Sequence, residues 1–109
     1  MIVTPACASA IAAGSKTMIR SVASDPSAPC PHGAPGDRVP VSSRDGEPVL
    51  VEITSTRLER LQDISGEDLE AEGGFSPREA FGCWWDSVHA RPGTRWNDNP
   101  WVWVIAFRV

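Results

Sequence analysis

The sequence predicts one small α+β domain over residues 1–109, with a mainly antiparallel, barrel-like sheet and flanking helices. Three observations point there. The chain ends in a nine-residue run in which Trp101, Trp103, Ile105, Phe107 and Val109 share one face and Val102, Val104 and Ala106 the other. A strand apolar on both faces is covered on both sides, as in a closed or sandwiched sheet. Upstream, Asp45-Gly46 is a hairpin signal before a second strand, residues 48–58. Between the two strands lie two helix starts, too few alternating units for a doubly wound parallel sheet.

Residues 1–4 form a strand stub. Thr4 suits an N-cap and Pro5 the first helical position, so a short helix is expected over 5–13, stopped by Gly14. Residues 16–22 follow as an extended or turning segment. Four prolines (26, 29, 31 and 35) make residues 24–35 a loop. Pro35-Gly36-Asp37 is a turn, with Asp37 its cap, leading into a short strand over 38–42. In the strand after the hairpin, Val49, Val51 and Ile53 oppose Glu52, Thr54 and Thr56, the pattern of a half-buried antiparallel strand. Ser65-Gly66-Glu67-Asp68 resembles a capping box, with Ile64 and Leu69 as its hydrophobic staple. Gly73-Gly74 ends that helix. Ser76-Pro77-Arg78-Glu79 is a second box, opening a helix to about residue 89 whose buried stripe is Ala80, Cys83, Trp84 and Ser87 or Val88.

Net charge is −4, so no global positive field advertises nucleic acid. The positive charges are nine arginines and a single lysine, Lys16. Cys7, Cys30 and Cys83 form no CxxC pair, so reduced thiols in a cytoplasmic protein are expected, with no zinc site. Cys30 and His32 lack two further ligands. The apolar stretch over 5–13 is too short for a membrane helix, and no basic residue precedes it as in a signal peptide. No metal, cofactor or membrane partner is expected.

Four segments together resemble the ASCH family of small PUA-like β-barrels, in its phage and prophage branch. They are Gly14-Ser15-Lys16-Thr17; Cys30 through Arg38 (CPHGAPGDR); Ile53 through Glu72 (ITSTRLERLQDISGEDLEAE); and Trp85-Asp86-Ser87 with Trp96 through Phe107 (WNDNPWVWVIAF). They stand in family order over most of the chain, and the carboxyl-terminal half is the specific part. The chain departs from the family in a short first strand and in the four-residue connection Arg44-Asp45-Gly46-Glu47, where phage members carry a long insert. The resemblance implies a barrel with helices beside a cleft suited to RNA or a nucleotide.

In relatives that hydrolyse an acylated cytidine, a lysine, a threonine three residues later and a helix glutamate act together. Lys16 and Glu72 match the lysine and the glutamate as catalytic candidates. The threonine position is Ile19, which has no hydroxyl; Thr17 and Ser21 lie two residues to either side of it. Candidate nucleic-acid contacts are Lys16, Thr17, Arg20 and Trp96. Arg20 could grip a phosphate through its guanidinium fork or pair with an acid such as Asp25. Lys16 could equally be a solvated charge, and Glu72 a surface residue. Trp101, Trp103 and Trp84 are expected in the core. Trp85 and Trp96 are better placed for exposure and base stacking, although Trp96 could pack across the barrel mouth. Asp86 and Ser87 are expected to fix a helix by side-chain hydrogen bonds.

The favoured reading is therefore a phage-type ASCH domain that binds RNA or a modified nucleotide. Alternatives are a hydrolase, acting either as a nucleoside amidohydrolase or as a ribonuclease, and a degenerate prophage remnant with no ligand. Either a monomer or a homodimer paired through an uncovered strand edge is compatible with the sequence.

Overall fold

The computed structural model describes residues 1–109. Helix α1 spans Pro5–Ala13, α2 Gly66–Ala71 and α3 Arg78–Val88; strand β1 spans Met18–Val22, β2 Arg38–Val41, β3 Val49–Arg60 and β4 Trp101–Arg108. The strands form one antiparallel sheet in the order β1-β4-β3-β2. The sheet is open rather than the expected barrel. Four strands are too few to close on themselves, and the edge strands β1 and β2 have only five and four residues.

Local chemistry explains most boundaries. Thr4 Oγ1 accepts from Cys7 N, and Gly14 closes α1 in the left-handed conformation at φ 83°. Ser65 Oγ accepts from Asp68 N, half of the expected box; the Asp68 carboxylate turns instead to two arginines, described below. Gly73 and Gly74, at φ 133° and 83°, stop α2 by returning Gly74 N to Leu69 O. Helix α3 departs from expectation at its start: Pro77 is the N-cap, and no side chain caps it.

Two apolar layers cover the sheet. On one face α2 and α3 bury Met18, Leu61, Leu69, Phe81, Trp85, Val102 and Val104. On the other, α1 buries Ile11 against Ile19, Val41, Val51 and Phe107. The α3 stripe is Phe81, Gly82 and Trp85, one residue on from the predicted Ala80, Cys83 and Trp84 phase. With Trp84 and Trp85 adjacent, both phases have helical period. Phe81 and Trp85, four apart, bury more apolar area, and the helix turns accordingly.

The tryptophans redistribute for the same reason. Trp85 is buried, donating Nε1–H to Thr94 O at 2.7 Å, although exposure was expected. Trp84 is half-buried against the core rather than within it. Trp101 is 38% exposed beneath the Arg60 guanidinium, because the apolar cluster around α1 takes in only the Phe107 end of β4. Trp103 is half-buried on that same uncovered half. Trp96 lies across α3, its ring edge-on to Phe81 with centroids 6.0 Å apart. Asp86 Oδ1 holds the Trp96 N–H at 2.7 Å, and Ser87 Oγ donates to Trp84 O, the helix-fixing roles expected of both.

Gly82 lets the Trp96 ring approach: a Cβ there would lie 2.9 Å from Trp96 Cγ. Gly82→Ala therefore trades a helix-propensity gain of about 1 kcal/mol against overpacking of about 1–3 kcal/mol. A net loss of stability with altered tryptophan fluorescence is expected in thermal denaturation. An unchanged or raised Tm would mean that Trp96 does not seat on α3.

Candidate functional site

A β-bulge decides which side chains meet. The β3–β4 register shifts between Ile53 and Ser55, so Thr56 joins the face of Ile53 while Arg57 and Glu59 turn to the α2 face. The predicted alternation of Ile53 against Thr54 and Thr56 thus breaks at Thr54. The register then aligns Arg20, Val104 and Arg57 in one row across the sheet, and Val22, Val102 and Glu59 in the next. Arg20, from edge strand β1, so faces two charged residues from β3 and the acids of α2.

Those groups form one ion cluster. Lys16 Nζ lies 2.7 Å from Glu72 Oε1 and donates also to Glu72 O at 2.9 Å. Arg20 Nη1 reaches Glu72 Oε2 at 2.9 Å, while Nη2 contacts Asp68 Oδ2 at 2.9 Å and Glu59 Oε2 at 3.2 Å. Arg57 adds bonds to Glu59, at 2.8 Å, and to Asp68. Three cations face three carboxylates, so the cluster is internally neutral. Lys16, Arg20 and Glu72 are only 3%, 5% and 3% exposed. Burial alone would raise the Asp68 carboxyl, but the Arg20 and Arg57 guanidiniums hold it below its ordinary value.

The cluster borders a cleft of about 690 Å³ whose lining includes Lys16, Ile19, Arg20, Ser21, His32, Glu72, Trp84 and His89. The amino-terminal segment forms one wall and the end of α3 the other, across the open edge of β1. Lys16 Nζ sits 5.5 Å from the Trp84 ring centroid. Arg20 Nε is buried without a hydrogen-bond partner. Ser21 Oγ and His32 Nε2 are 2.9 Å apart. His89 stacks on Trp85 at 3.7 Å between centroids, and burial holds it below the ordinary histidine value although Asp86 opposes this.

Two solved structures share this fold. The ASCH domain from Lactobacillus crispatus JV V101 matches with a TM-score of 0.64 at 21% identity, over 95% of this chain and 70% of that one. A protein of the DUF984 family from Enterococcus faecalis V583 matches with a TM-score of 0.71 at 15% identity, over 95% and 69%. The fold is ASCH-like. No protein-family model and no curated protein matches the chain. No helix is long and apolar enough to cross a membrane, and no three His, Cys, Asp or Glu residues are grouped to hold a metal.

Of the predicted site residues, the ASCH-like fold brings Lys16, Arg20 and Glu72 into one buried group on the cleft. Thr17 is exposed and Trp96 packs on α3, and neither lines the cleft. Arg20 pairs with Glu72, Asp68 and Glu59, while Asp25 binds Ser27 instead. Lys16 is not a solvated charge, nor Glu72 a surface residue. Sequence reasoning missed Glu59, Asp68, Arg57 and the approach of His32 to Ser21. The i, i+2 spacing of Arg57 and Glu59 marks a shared strand face, but only the bulge tells which one.

Removing Glu72 would leave Lys16 buried without a carboxylate partner, while Arg20 would keep Asp68 and Glu59. Glu72→Ala should cost about 3–5 kcal/mol in urea unfolding. Arg57→Ala, from a half-exposed side chain, should cost about 1 kcal/mol or less. Equal losses would refute the buried character of the Glu72 pairs.

Burial, and then the positive amino terminus, lower the His32 pKa from 6.5. Below pH 6.5 the unfolded chain binds protons that the folded His32 refuses, so this stability contribution is present above 6.5 and lost as the pH falls. Imidazole NMR should give a His32 midpoint below 6.5. A midpoint at 6.5 would place His32 in solvent, and one above it beside an acid.

Proposed function

We propose that the cleft binds a single nucleoside unit, either free as a modified nucleotide or unstacked from single-stranded RNA. The observation that carries this is the buried Lys16–Glu72–Arg20 group on the wall of a cleft with room for one such unit. Pockets for small ligands run to roughly 300–1,000 Å³ and fix orientation with a few polar groups among apolar ones. Here Lys16 Nζ, the unpartnered Arg20 Nε and the Glu72 carboxylate supply the polar set, and Trp84 an aromatic surface beside it. Bases lifted from a stack are commonly held this way.

The neutrality of the cluster argues that base and sugar, rather than phosphate, are recognised. Each cation already faces a carboxylate, and the whole chain carries a charge of −4. The sequence resemblance adds the expectation of a phage or prophage origin. A hydrolase is the second reading, favoured by the 2.7 Å contact of Lys16 with Glu72. Ile19, buried in the cleft wall, offers no hydroxyl to that pair.

An NMR titration with cytidine, N4-acetylcytidine and a short single-stranded RNA tests the reading. Shifts should gather at Lys16, Arg20, Glu72 and Trp84 and vanish in Lys16→Ala. RNA affinity should change by less than about tenfold between 50 and 200 mM salt, as few phosphates are neutralised. No shift at millimolar ligand would leave the remnant reading in its place. Ile19→Thr should add amide hydrolysis only where the acetylated nucleoside binds.

A further inference from the structure

Beside the ion cluster, the cleft holds a second polar pair that the binding reading does not use. Ser21 Oγ lies 2.9 Å from His32 Nε2, and both residues line the cleft half-buried, within reach of a ligand. A serine hydroxyl becomes a nucleophile when an imidazole nitrogen at this distance can take its proton. We propose that Ser21 and His32 form a nucleophile–base pair that gives the cleft an esterase activity toward small acyl esters.

The loop holds His32 in place tightly. Gly33, at φ +131°, packs where a Cβ would meet Ile53 Cδ1 at 2.9 Å. Ala34 N donates to Asp37 Oδ2 at 2.9 Å, and Gly36 N to Ile53 O at 2.8 Å. The ring is thus presented to Ser21 by a turn that only glycine can make at position 33. Main-chain pairing supplies the oxyanion donor. Thr17 O and Ala23 N bond to β4, so the odd residues of β1 face β4 and the N–H groups of Arg20 and Val22 face the open edge. Val22 N–H follows the nucleophile directly and lies on that edge.

In the first step Ser21 Oγ attacks the ester carbonyl carbon and its proton passes to Nε2, which requires the neutral ring with its proton on Nδ1. The oxyanion faces Val22 N–H. Collapse breaks the bond to the alcohol, which leaves with the proton from His32. Water, deprotonated by His32, then attacks the acyl–Ser21 ester, releasing a carboxylic acid and restoring both residues. The sum is ester plus water giving acid plus alcohol.

The intact protein treated with diisopropyl fluorophosphate, then peptide-mapped by mass spectrometry, tests the pair without any variant. One adduct per chain at Ser21 is expected, with fluoride released, together with a stoichiometric burst of p-nitrophenol from p-nitrophenyl acetate. Labelling should be absent in Ser21→Ala and about a hundredfold slower in His32→Gln, the general-base contribution. Gly33→Ala, which keeps the imidazole but displaces it, should slow labelling similarly. No adduct, an adduct on another residue such as Cys7, or a rate unchanged in both His32→Gln and Gly33→Ala would overturn the proposal and leave a bond that only ties the loop to β1. The nucleoside reading stands or falls separately, on the Lys16 titration.

Discussion

The structure depends on one carboxylate. Glu72 gives one oxygen to Lys16 and the other to Arg20, while its own carbonyl takes a second Lys16 proton. Those contacts join residues 52 and 56 positions apart, and so tie the end of α2 to the edge strand. The helix must stop at that point for the carbonyl to be free, and Gly73 and Gly74 stop it. An ion pair so deeply buried is a poor source of stability, since well-packed apolar residues of the same volume would often serve as well or better. Its presence is explained more simply by the cleft beside it, where fixed donors and acceptors are useful.

The extra residue in β3 has consequences well beyond its own strand. Without the bulge, Arg57 and Glu59 would face the α1 side, and Arg20 and Asp68 would each lose a partner. Arg20 would then carry charge that only Glu72 and Asp68 offset. With it, every charge in the cluster faces an opposite one, which suits an uncharged ligand better than a phosphate.

The order of the helices and strands was legible because turns and caps are local. Thr4, Gly14, Ser65 and Gly73 act through hydrogen bonds or backbone angles within a few residues of themselves. Lys16 and Glu72 were paired only through family resemblance, since nothing in spacing links position 16 to position 72, and Arg20 was marked by its guanidinium fork alone, with Asp25 as the expected acid. Four features escaped for physical reasons. Sheet closure depends on strand number and tilt, not on the apolar pattern of any one strand. The α3 phase depends on which of two adjacent tryptophans packs better. The bulge arises from cross-strand pairing, and no residue in Ile53-Thr54-Ser55 announces it. His32 looked isolated because its partner sits across a proline-rich loop.

An open sheet edge is ordinarily a liability, because unpaired main-chain groups invite another strand. Here the edge of β1 lies under a cleft instead, walled by the amino-terminal segment and the end of α3. Failure to close into a barrel is what leaves that room. Successive side chains of a strand point to opposite faces, so Arg20 joins the ion cluster while Ser21 turns to His32. A cleft that touches both residues must cross the edge itself. A ligand lying over β1 would meet the charged group on one side, the Ser21–His32 pair on the other, and the free main-chain donors between them. Closing the barrel with a further strand would remove all three contacts together, so the openness of the sheet and the chemistry of the site are one property.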